Sequence, residues 1–95
     1  MGNIRSQRIY ADGETAAFEI VGSDGRSLTL TKADIQAFYR STSGNASSRR
    51  AQVITWFKNS IVTALSPQQV DILDLDYDID LTSGRITKAS IGRLL

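Results

Sequence analysis

The stretch Ser47–Leu65, SSRRAQVITWFKNSIVTAL, places the strongest condition on what this chain can fold into. Val53, Ile54, Phe57, Ile61 and Leu65 recur at the spacing of one face of an α-helix, with Trp56 at the edge of the stripe. Arg49, Gln52, Asn59 and Thr63 fall largely on the other side. Such a stripe must be buried against another element, because an isolated amphipathic helix is marginal in water. The remainder of the chain has to supply that surface, and its pattern is mostly that of strands.

Before the helix, Ile4–Tyr10 reads as a strand, and Asp12-Gly13 as a turn in which glycine accepts positive φ. Ala16, Phe18 and Ile20 alternate with Ala17, Glu19 and Val21, the pattern of a half-buried strand. Asp24-Gly25 is a second turn, and Leu28 and Leu30 alternate with threonines after it. A three-stranded antiparallel meander is expected. Thr31 with Asp34 resembles a capping box opening a helix over Lys32–Ser41, with Ile35, Phe38 and Tyr39 on one face. After the polar connection Ser41–Ser47, Ser47 or Ser48 is expected to cap the central helix, which Pro67 should stop. From Leu73 to Leu81, leucine, tyrosine and isoleucine alternate strictly with Asp74, Asp76, Asp78 and Asp80. Thr82-Ser83-Gly84 then turns the chain back into a partner strand, Arg85–Ile91. The predicted fold is α+β: a mostly antiparallel β-sheet packed against two helices, in the order β-β-β-α-α-β-β, forming a single domain over residues 1–95. The acidic strand is expected near a sheet edge, where charge discourages uncontrolled strand addition.

Charge is arranged in blocks that the formal net charge of +1 conceals. No acidic residue occurs from Ile35 to Val70, where Arg40, Arg49, Arg50 and Lys58 stand. Asp71, Asp74, Asp76, Asp78 and Asp80 follow, and Arg85, Lys88 and Arg93 close the chain. The aspartate row invites a calcium reading. The EF-hand loop, however, needs glycine at its sixth position and glutamate at its twelfth. Counting from Asp74 those positions hold Ile79 and Arg85; counting from Asp76 they hold Leu81 and Thr87. The row reads instead as a solvated strand face, or as a surface for a basic partner.

Catalytic chemistry finds little to work with. The chain has neither histidine nor cysteine, which removes the commonest general base, the commonest metal ligand and any disulfide. Its serines have no histidine to activate them, and the carboxylates line one strand face instead of facing each other across a cleft. Neither an enzyme nor a cofactor or metal site is expected. Met1-Gly2 with Ser6 matches a short acylation pattern that arises easily by chance. No apolar run approaches the roughly 18–20 residues needed to span a bilayer, and no signal-peptide pattern opens the chain. A soluble protein is expected, cytoplasmic or within a virion assembled there, without a membrane partner.

The function expected from these features is a non-catalytic structural or interaction subunit of a larger assembly, oligomeric with itself or with other subunits. One concrete version is a small phage virion accessory, a capsid-decoration or connector protein. The residues expected to meet partners are Asp74, Asp76, Asp78, Asp80, Arg49, Arg50 and the apolar end Leu94-Leu95, both chain ends being expected to dock. The rival reading is a small nucleic-acid-binding protein using Arg40, Arg49, Arg50 and Lys58 on phosphates.

Overall fold

A computed structural model describes the backbone of residues 4–65 and 73–94, and the side chains of residues 4–65 and 77–87. Seven elements follow in order: β1 (Ile4–Ile9), β2 (Ala16–Gly22), β3 (Ser27–Thr31), α1 (Lys32–Ser41), α2 (Ala46–Ala64), β4 (Leu73–Asp80) and β5 (Arg85–Leu94). The fold is α+β in the predicted order. Its strands form two antiparallel sheets, a β1-β2-β3 meander and a β4-β5 hairpin. The hairpin lies against α2 through β4, and β5 runs close to β1 and β2.

Local signals account for most element boundaries. Thr31 Oγ1 accepts the Asp34 N–H at 3.1 Å and Asp34 Oδ2 accepts the Thr31 N–H at 3.0 Å, so the capping box is complete and α1 begins at Lys32. The central helix starts two or three residues earlier than a serine cap would place it. Its cap is Asn45, not Ser47 or Ser48, with Asn45 Oδ1 accepting the Ser48 N–H at 2.8 Å. Gly44, at φ 108°, turns the chain so that Asn45 is extended at the helix mouth, and asparagine is as good a cap there as serine. The helix ends at Ala64; Pro67 lies outside the described residues.

The core lies between the meander, α2 and the hairpin. Ala17, Phe18, Ile20 and Leu30 come from the sheet, Ile35 from α1, and Val53, Phe57 and Ile61 from α2, with Leu65 just beyond it; Tyr77, Ile79 and Ile86 come from the hairpin. One face assignment differs from the alternation in the sequence. Ala17 and Phe18 are adjacent yet both fully buried, and Ala16 is half-buried. The ladder explains it: Ala16 pairs with Thr31 and Phe18 with Leu30, so Ala17 is the extra residue of a bulge. At the hairpin, Leu81 leaves the strand pattern and opens the turn, where it packs against the core. The returning strand runs to Leu94, past the predicted Ile91.

The hairpin turn sits on the start of α1. Gly84 has φ 75°, and a Cβ there would lie 2.3 Å from the Lys32 carbonyl oxygen. Gly25 has φ 94° with open space around it. Gly84→Ala is expected to cost roughly 2–4 kcal/mol, since backbone strain and a backbone clash act together. Gly25→Ala is expected to cost only the strain, about 1 kcal/mol. Urea denaturation of the two variants measures the difference, and equal losses would mean that the turn is not seated as described.

Candidate interaction face

The residues singled out by charge do not form one site. Arg49 turns toward α1. Its Nε donates to Thr42 Oγ1 at 2.9 Å, its Nη2 donates to the Tyr39 carbonyl at 3.0 Å, and its guanidinium lies 4.1 Å from the centre of the Tyr39 ring. A cation at the carbonyl end of a helix is favourable, so Arg49 closes α1. Arg50 turns the other way, to the hairpin, where its guanidinium binds the Asp78 carboxylate and the Ile79 carbonyl. Asp80 accepts the Thr82 N–H at 3.0 Å and the Ser83 N–H at 3.4 Å, holding its own turn. Arg50 and Asp78 are therefore brought together, while Arg49 and Asp80 serve separate local structures. The side chains of Asp74, Asp76 and Leu94, and the whole of Leu95, lie outside the described residues.

A concave surface among the described residues was not marked by charge. An open groove of about 860 Å³ runs along the outer side of α2. Ser48, Gln52, Thr55, Asn59 and Thr63 form its floor at helical spacing, and Leu28 of β3 and Phe38 of α1 flank it. Trp56 forms part of its wall, stacked on Phe38 with ring centroids 4.7 Å apart and planes 9° from parallel. Among the described residues, none of the lining side chains is charged. The sequence carries a trace of this: Lys58 is the only charged residue between Ala51 and Ala64, too few for a purely solvated helix. Gln52, Asn59 and Thr63 masked the feature by giving that side a polar composition.

Beneath α2, Phe18, Phe57 and Tyr77 meet edge to face, with centroid separations of 5.1, 5.7 and 4.6 Å. Tyr77 is 6% exposed, and its hydroxyl has no hydrogen-bond partner among the described residues. Desolvation by burial raises its pKa well above that of an ordinary tyrosine. Among the described residues no group of three or more acidic side chains is placed to hold a metal ion, and no helix is long and apolar enough to cross a membrane.

No protein-family model, no curated protein and no solved structure matches the chain.

Two outcomes follow from this geometry. Arg49→Lys keeps the charge but loses the forked donors and the stack on Tyr39. It is expected to lower stability by about 1–2 kcal/mol in chemical denaturation, with Lys58→Ala within about 0.5 kcal/mol of wild type. For Tyr77, the folded-state pKa is raised, so the unfolded chain ionises first as pH rises above about 10. Its contribution is full below that pH and falls as pH rises further. Tyr77→Phe should lose less stability than wild type between neutral pH and pH above about 10; identical losses would contradict the burial of the hydroxyl.

Proposed function

We propose that this protein is a non-catalytic interaction subunit that assembles through the outer face of α2, the partner surface being the same face of another copy. The observation that carries the reading is the uncharged groove along α2, walled by the stacked Trp56 and Phe38. From Ser48 to Ala64 the helix rises about 24 Å, a length suited to a polypeptide element more than to a compact small molecule. A twofold-related copy would bring no like charges together among the described lining side chains, because none of these is charged. A tryptophan held by a stacked neighbour loses little freedom on contact, which is why such residues dominate interface energetics. A virion accessory is the setting that the sequence reading names for such a subunit. The nucleic-acid reading draws less support, since Arg49 and Arg50 direct their donors at Tyr39, Thr42, Asp78 and Ile79.

Light scattering at low and high salt tests this. The wild-type protein is expected to form an oligomer that survives high salt, because the contact is uncharged. Thr55→Glu places a charge on the exposed floor of the groove, and is expected to give a monomer that keeps the wild-type circular dichroism spectrum. A wild-type monomer in both salts would contradict the reading. So would an oligomer that Thr55→Glu leaves intact or that salt alone dissolves.

A further inference from the structure

The β4–β5 ladder runs from Leu73 opposite Leu94 to Asp80 opposite Arg85, and among the described residues no ladder joins this hairpin to the meander. It is held by packing and by few polar contacts among the described residues. Those are Arg50 to Asp78 and to the Ile79 carbonyl, Arg85 to Asp12 at 3.3 Å, and Gln36 Nε2 to the Thr82 carbonyl at 3.0 Å. The side chains of both ion pairs are 43–75% exposed, so each pair contributes little and salt screens it. Tyr77, Ile79 and Ile86 supply apolar burial, but the Tyr77 hydroxyl works against it. That group can bond to water when the hairpin is away, and has no partner among the described residues when it is docked.

We propose that the β4–β5 hairpin opens as a unit while the meander and the two helices stay folded, uncovering the Phe18–Phe57 surface. This does not rest on the assembly face of α2. Closed, the hairpin packs the Tyr77 ring against both phenylalanines; open, it uncovers an apolar aromatic face and frees the Tyr77 hydroxyl to meet water. Leu30, on β3, belongs to the body that remains. The opening is sub-global, of the kind in which a supersecondary unit separates below the free energy of complete unfolding.

Residue-resolved hydrogen exchange on the full chain tests the proposal. Amides of the β4–β5 ladder are expected to exchange faster than those of Ile20, Phe57 and Ile61, and faster still at high salt. Leu30→Val weakens the body alone, so it should speed exchange in β2 and α2 and leave the hairpin rate unchanged. Tyr77→Phe removes the orphaned hydroxyl and should slow hairpin exchange by a factor of roughly 5 to 100. Hairpin amides that exchange in step with β2 and α2, in both wild type and Leu30→Val, would overturn the proposal. Unchanged or faster hairpin exchange in Tyr77→Phe would overturn it equally.

Discussion

The contact between Phe57 of α2 and Phe18 of β2 is the one on which the other elements depend. Both rings are fully buried, edge to face at 5.1 Å. Val53 and Ile61 extend that contact along the helix, and Ile20 extends it along the strand. Burying side chains of this size stabilises by about 1.5–3 kcal/mol each, more than any exposed ion pair in the molecule. The other parts find their places from it. β1 and β3 pair with β2, α1 docks beside α2 through Ile35, and Tyr77 brings the hairpin onto the same two rings.

Because one side of α2 is used for the core, its other side is left to meet whatever lies outside. The two sides differ in chemistry. The inner stripe is aliphatic and aromatic; the outer side is small, uncharged and polar, with Trp56 between them. The charged residues are drawn into local work around this helix. Arg49 closes α1, Arg50 ties down β4, and Asp80 holds its turn. Charge blocks that look like opposed docking surfaces along the chain are thus partly neutralised within one molecule, at the Arg50–Asp78 pair and at the Arg85–Asp12 pair.

The fold was legible where pattern and local chemistry agree. Strict alternation gave Tyr77 and Ile79 as buried with Asp78 and Asp80 exposed, and Thr31 with Asp34 gave the start of α1. It was illegible where a single residue changes the geometry. The bulge at Ala17 breaks period two without any special residue to announce it, and Asn45 caps a helix that has two serines just inside it. The division into two sheets depends on which backbone groups meet over long separations, and no local pattern encodes that. The groove was hidden for a different reason. Gln52, Asn59 and Thr63 are ordinary on a solvated helix, and only the approach of Phe38 and Leu28 in three dimensions makes that side concave. Arg49 and Arg50 are neighbours in sequence, but helical rotation of about 100° per residue sends one to α1 and the other to β4.

The central claim is that α2 builds the core with one face and meets another copy with the other. Trp56 is the only tryptophan in the chain and lines that second face, so its fluorescence reports on that face. The most direct measurement is collisional quenching of that fluorescence by a neutral quencher across a wide range of protein concentration. The account predicts an accessible indole in dilute solution that becomes shielded as concentration rises, with half-shielding where light scattering shows association. Quenching that is independent of concentration while the protein associates would place the contact elsewhere and contradict the claim.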